Sequence, residues 1–177
     1  MMGAELHDSG EPLLSAIGAQ PDWDAVFSEQ LPRVYNFLRY RLGDDVLAED
    51  LASLTFEKAW RERHRYRRDV SKFSTWLLTI ARNAAIDHRR TERRHAPIEA
   101  AVDVPVEASP EQEAMMRSNV ARLFRLMAQL DDRERELLAL KYGAGATNRA
   151  IADVTGLSES NVGTIVHRAV TQLRAKW

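Results

Sequence analysis

The chain has 177 residues and is 45% hydrophobic, which gives enough apolar surface for one large or two small packed domains and excludes a disordered tail. It contains no cysteine, so disulfides and cysteine-ligated zinc or iron-sulfur centres are excluded, and a metal role would rest on five scattered histidines. The formal net charge of −1 hides a segregation: residues 1–30 hold six acids and no Lys or Arg, residues 61–94 carry eleven Lys or Arg against four acids, and residues 95–113 hold five acids and again no base.

A basic block between acidic stretches is the footprint expected for a polyanion partner. Residues 1–21 read as an acidic N-terminal extension without a basic apolar leader. No run approaches the about 18 apolar residues of a membrane span, so a soluble, cytoplasmic protein without membrane insertion is expected.

Helical periodicity dominates and no segment alternates convincingly as a strand, which predicts an all-α fold. Residues 22–42 place Phe27, Leu31, Val34, Tyr35, Leu38 and Leu42 on one stripe, with a kink expected at Pro32. Gly43, Asp44 and Asp45 supply a stop and a new start. The next helix, at about 45–64, is apolar on more than one side through Leu47, Leu51, Leu54, Phe56 and Trp60, so it is expected between neighbours. RYRRDVSK then interrupts the pattern.

In KFSTWLLTIARNAAIDHRR, residues 72–90, Phe73, Trp76, Leu77, Ile80 and Ala84 form a core-facing stripe. Thr75, Thr79, Arg82, Asn83, Ile86 and Arg90 gather on nearly the opposite side, where hydroxyl, amide and guanidinium groups suit phosphates and base edges. Residues 95–113, with three prolines and no stripe, read as a flexible linker.

Helices resume near residue 112, with Val120, Leu123, Phe124, Leu126, Met127 and Leu130 apolar, and Asp131 or Asp132 starts another that Leu137, Leu138 and Leu140 bury. TNRAIADVTGLSESNVGTIVHRAVTQLR has the layout of a helix-turn-helix: a short helix over 148–154, a turn at Thr155, Gly156 and Leu157, and a second helix capped by Ser158. Val162, Ile165, Val166, Ala169 and Leu173 make its buried stripe, leaving Ser160, Asn161, Thr164, His167, Arg168 and Thr171 outward. Small hydroxyls near a helix N-terminus approach a groove closely, and Arg168 reaches a base or a phosphate. His167 is read as a DNA contact rather than a metal ligand. Two domains are expected, at 22–94 and 114–177.

Taken together these pieces resemble the extracytoplasmic-function (ECF) sigma factors of the sigma-70 family, the two-domain specificity subunits of bacterial RNA polymerase. The resemblance rests on Pro32-Arg33-Val34-Tyr35 with Arg41-Leu42-Gly43-Asp44, then Ala48-Glu49-Asp50-Leu51, Thr55-Phe56 and Lys58-Ala59-Trp60. Phe73, Trp76-Leu77, Ile80-Ala81-Arg82-Asn83 and Asp87 continue it. In the second domain it is carried by Leu130, Arg133-Glu134-Arg135, Ile151-Ala152, Gly156-Leu157, Val162, His167-Arg168-Ala169 and Leu173.

The resemblance implies three surfaces. Core RNA polymerase would be bound by Glu49, Asp50, Leu51, Thr55, Phe56, Lys58 and Trp60, with packing a competing role for Leu51 and Phe56. Promoter DNA at the minus-ten element would be met by Tyr66, Arg67, Arg68, Lys72, Thr75, Thr79, Arg82, Asn83, Ile86, Asp87, Arg89 and Arg90. Within that set the loop from Tyr66 to Lys72 and Asn83 would hold a flipped base, and Arg82, Arg89 and Arg90 would hold phosphates. Trp76 is read as core in preference to a stacking platform, and Asp87 either as a base contact or as an ion-pair partner of arginines. The minus-thirty-five duplex would be read by Asn148, Arg149, Ser160, Asn161, Thr164, His167, Arg168 and Thr171.

No catalysis and no cofactor are expected, and an anti-sigma partner is implied as a possible inhibitor. Two departures stand out: Gly163, Ile165, Val170 and Gln172 occupy recognition-helix positions often basic in the family, and Ser53-Leu54 replaces a frequent Gln-Glu pair. A two-component-type regulator is the alternative, disfavoured by the purely helical periods of 22–94. An enzyme using His64, His88 and His95 with Asp87 is disfavoured by the surrounding positive potential. An adaptor lacking DNA contacts is disfavoured by the presence of Asn83, Arg82 and Arg168.

Overall fold

The computed structural model describes residues 22–67, 70–95 and 110–177, the side chains of 92–95 and 110–117 apart. Among these residues there are helices and turns and no strand, as the periodicity predicts. No helix among them is long and apolar enough to cross a membrane. The expectations for the N-terminal extension, for Arg68 and for most of the linker lie outside the described residues.

The first helix, α1, spans Trp23–Leu42. The Asp22 carboxylate caps it by accepting from the backbone N–H groups of Asp24 and Ala25, which no helical carbonyl serves. α1 carries through Pro32 and ends at Gly43, whose N–H donates back to the Arg39 carbonyl at 2.8 Å. Asp44 then accepts from Leu47 N–H at 2.9 Å and starts α2, Asp45–Arg61. A short 3-10 turn at Arg63–Arg65 follows, and α3 spans Phe73–His95.

These three helices pack on one another around Val34, Phe37 and Leu38 of α1, Leu51 and Phe56 of α2, and Leu77, Leu78 and Ile80 of α3. Each fully buried Leu or Phe contributes about 1.5–3 kcal/mol. Trp76 is half-buried with its ring 5.3 Å from Tyr66 and 5.5 Å from Phe73, which agrees with the core role expected for it.

The second set of helices is α4 (Pro110–Ala128), α5 (Asp132–Leu138), α6 (Asn148–Thr155) and α7 (Glu159–Lys176). Caps follow local chemistry throughout: Asp131 accepts from Glu134 N–H, Thr147 from Ala150 N–H and Ser158 from Asn161 N–H. Between α6 and α7 Gly156 sits at φ 74°, a left-handed conformation open to glycine at little cost. After α5 the chain runs into a π-helical turn, Ala139–Gly143, which the periodicity does not reveal.

That π turn lies against α1, while α6 lies against α3, so the two sets of helices share one continuous buried core. The approach is tight at Gly143, where a β-carbon would fall 2.8 Å from the Asn36 carbonyl oxygen and 2.9 Å from the Tyr40 ring. Arg33 Nε donates to the Ala144 carbonyl at 2.9 Å, and the rings of Tyr40 and Phe124 lie 5.6 Å apart.

Candidate nucleic-acid interface

The basic helix α3 presents two different faces. Thr75, Leu78, Arg82, Ala85 and Arg89 follow a stripe of three- and four-residue steps, and this stripe is covered or ion-paired. Asn83, Ile86, Asp87 and Arg90 follow i, i+3, i+4, i+7 and are exposed. One expectation is corrected here: Thr75 is 6% exposed and belongs to the buried stripe. The physical reason is that a second packing partner covers α3, which a single helical period cannot announce. Thr79 is half-buried, and its hydroxyl donates to the Thr75 carbonyl at 2.9 Å.

The loop before α3 holds Arg67 and Lys72 exposed, while Tyr66 is half-buried. Tyr66 is held by its hydroxyl, which donates to the Ser71 carbonyl at 3.2 Å, and by its ring, 5.2 Å from Phe73. It therefore shapes the loop as a wall.

Arg82 and Arg89 do not project freely. Arg82 grips Glu136 with two donors, Nε to Oε1 at 3.0 Å and Nη2 to Oε2 at 3.3 Å. Arg89 donates to the Asp132 carboxylate. Glu136 is 3% exposed and Arg41 is 5% exposed, with Arg41 Nη2 3.9 Å from Glu136 and Arg41 Nη1 donating to the Asp132 carbonyl at 3.0 Å. Burial pushes the Arg41 pKa down from its ordinary value, with the Glu136 charge opposing.

Asp132 is also shifted. Partial burial raises its carboxyl, but the hydrogen bond and charge of Arg89, with the charges of Arg41 and Arg135, outweigh that and bring it below the usual range. A depressed carboxylate contributes stability that is complete above its unfolded value of about 3.9 and is lost as pH falls through the lower folded value. The contact is therefore expected to be constant across neutral pH and to loosen only below about pH 4. Small-angle scattering should then show a larger radius of gyration, and Asp132→Asn should remove that part of the acid response.

In the helix-turn-helix, Ser160, Asn161, Thr164, His167 and Thr171 are exposed along α7, with Arg149 exposed and Asn148 half-buried on α6. The Thr164 and Thr171 hydroxyls donate to the carbonyls of Ser160 and His167, leaving their lone pairs outward. Asn148 accepts from Lys141 Nζ at 2.9 Å. Arg168 is anchored through its guanidinium: Nε and Nη2 lie 3.0 and 2.9 Å from Oε1 of the buried Glu134. Glu134, Glu136, Arg41 and Gly143 were missed as site-shaping residues. A signal for Glu134 exists, since it occupies the apolar register of Leu130, Leu137 and Leu138, where a carboxylate needs a cation.

Gly163 faces α6 with only Asn148 Nδ2, at 3.4 Å, within reach of an added β-carbon. Gly163→Ala is expected to stabilise the protein by about 0.5–1 kcal/mol, read as a higher urea midpoint at unchanged slope.

On α2, Glu49, Asp50, Lys58 and Trp60 are exposed, whereas Leu51, Thr55 and Phe56 point into the core. Thr55 is 1% exposed and donates to the Leu51 carbonyl, so its place in a surface patch is corrected. The helical period puts residues 48, 51, 52, 55, 56 and 59 on the inner stripe. Leu54 and Val46, 53% and 71% exposed, are apolar neighbours of that surface that the reading of the patch left out.

Comparison with known proteins adds an independent line. Sigma-70 region 2 matches residues 26–95 and Sigma-70 region 4 matches residues 126–175. The RNA polymerase sigma factor CarQ of Myxococcus xanthus is 32% identical, covering 89% of this chain and 90% of its own. The ECF RNA polymerase sigma factor BldN of Streptomyces coelicolor is 30% identical over 84% of this chain, which spans 57% of BldN. In fold the chain is similar to RpoE from Bartonella quintana, solved with the anti-sigma factor NepR, at a TM-score of 0.70, 22% identity and coverage of 87% of this chain and 95% of that one. CnrH, solved with the cytosolic domain of CnrY, gives a TM-score of 0.67 at 23% identity, covering 89% and 88% of the two chains. With both regions matched in order and a relative of this identity matched over nearly its whole length, the chain belongs to the sigma-70 family, among the ECF RNA polymerase sigma factors.

Proposed function

We propose that the chain binds core RNA polymerase, directs it to promoters and helps to open the minus-ten element, acting through binding energy and without catalysis of its own. The observation that carries this reading is the pair of exposed rows on separate helices, polar Asn83, Asp87 and Arg90 with apolar Ile86 on α3 and Ser160, Asn161, Thr164, His167 and Thr171 on α7. The first row suits unpaired bases and phosphates. The second sits where a helix-turn-helix meets the major groove.

The division of labour follows two units, 22–94 and 114–177, joined by the acidic stretch 95–113. The polymerase contact is assigned to the exposed part of the α2 patch, Glu49, Asp50, Lys58 and Trp60, with Leu51, Thr55 and Phe56 supporting it from beneath. Arg168, held by Glu134, is a phosphate or base contact whose geometry is set in advance. An anti-sigma partner fits this reading, since RpoE of similar fold was solved with one. Action in the cytoplasm follows from the polymerase partner.

The test is reconstituted transcription: purified chain with core polymerase on a genomic promoter library. Initiation at a defined set of start sites is expected, and none above core polymerase alone would overturn the reading.

A further inference from the structure

We propose that Lys141 is a positioning residue for the upstream promoter contact: by holding the Asn148 side-chain oxygen it makes that amide a hydrogen-bond donor only, which selects guanine or thymine as the base it reaches. Such a selection rests on the promoter reading above and gives Lys141, otherwise without a role, a part in it.

The backbone brings the two side chains together. After the π turn the chain reverses at Gly145, where φ is 64°, and enters α6 through the Thr147 cap. The Ala146 N–H donates to the Leu140 carbonyl at 3.0 Å and closes the reversal, and both residues are buried, which anchors it in the core. Lys141 directly follows one end of that bond and Asn148 lies two residues beyond the other. Their side chains meet with Lys141 Nζ 2.9 Å from Asn148 Oδ1.

An ammonium group only donates, so the amide must turn its oxygen to Lys141 and its NH2 group away. The NH2 group lies on the side of α7: Asn148 Nδ2 is 3.4 Å from where a β-carbon of residue 163 would stand, and Gly163 leaves that space open. Ser160 and His167, three residues before Gly163 and four after it, belong to the exposed row of α7. Among the described residues no protein acceptor meets Nδ2, and the atom reaches solvent. An asparagine with both ends of its amide available matches adenine, which offers a donor and an acceptor together. With its oxygen engaged it suits the acceptor edges of guanine and thymine, and the amino groups of adenine and cytosine oppose it.

The experiment uses the full chain with core polymerase on promoters randomised through the minus-thirty-five element, each identified by a barcode in its transcript. The parent, Asn148→Ala, Lys141→Met and Lys141→Arg are compared, with circular dichroism confirming the fold of each. In the parent, guanine or thymine is expected to exceed adenine about tenfold at one upstream position, which Asn148→Ala flattens while leaving the others. Lys141→Met releases the amide oxygen and is expected to bring adenine level at that same position, a shift of about tenfold. Lys141→Arg, still a donor only, is expected to keep the parent order. Loss spread evenly over all sequences in Lys141→Met, an unchanged order at that position, or the same shift in Lys141→Arg overturns the positioning role. Should Lys141→Met fail to fold, Lys141→Ala decides by the same criteria. A parent that never initiates removes the promoter reading itself, whereas a parent that initiates but shows no position flattened by Asn148→Ala removes the role of Lys141 alone.

Discussion

Truncating Phe37 to alanine is expected to destabilise the protein by about 3–5 kcal/mol, the cost of removing a large ring from a core that cannot collapse around the cavity. Phe37 is 0% exposed at the centre of α1, the helix that touches α2, α3 and the π turn at once. Neighbours that already contact three other elements have little freedom to close the void. Against a total stability of about 5–15 kcal/mol, this removes much of the margin. Urea denaturation followed by circular dichroism is the check, with Val46→Ala, 71% exposed on α2, as the control expected within about 0.5 kcal/mol of the parent. A Phe37→Ala cost below about 1 kcal/mol would show that α1 is not central to the core.

The second large effect is functional. Asn83→Ala is expected to relax base preference at one minus-ten position by about 1–3 kcal/mol, or about 5- to 150-fold, while leaving stability nearly unchanged. Asn83 is exposed on the row of α3 that the second set of helices leaves open, and its amide offers both a donor and an acceptor to a base edge. The measurement is run-off transcription across a promoter library randomised through the minus-ten element. Loss spread evenly over all sequences would mark Asn83 as a positioning residue instead, and no change at any position would remove it from the interface.

These predictions draw on different layers of information. The helices of the N-terminal half, the start at Asp44, the stop at Gly43 and the turn at Gly156 were legible in the sequence. Each depends on residues within four positions of one another. The helix-turn-helix was legible for the same reason, and its outward row, Ser160 to Thr171, lies where the periodicity places it. Thr75 was misplaced because a helical period identifies one buried stripe while a second packing partner covers another, whereas Thr55 was placed in the surface patch by the family resemblance although the period of α2 puts it on the inner stripe. The π turn at Ala139–Gly143 was invisible because its signature is a shift of hydrogen-bond register, with no characteristic spacing of apolar residues.

By itself the sequence determined an all-helical chain, the segregation of its positive charge and which residue types could meet DNA, since charge, capping and amphipathicity are properties of neighbouring residues. Tertiary structure alone decided that Arg82 and Arg89 face Glu136 and Asp132, that Arg41 is buried among them and that Gly143 must be small. Those pairings join residues 43 to 111 positions apart, as the bond from Arg33 to Ala144 does, and they follow from how packed helices fill space.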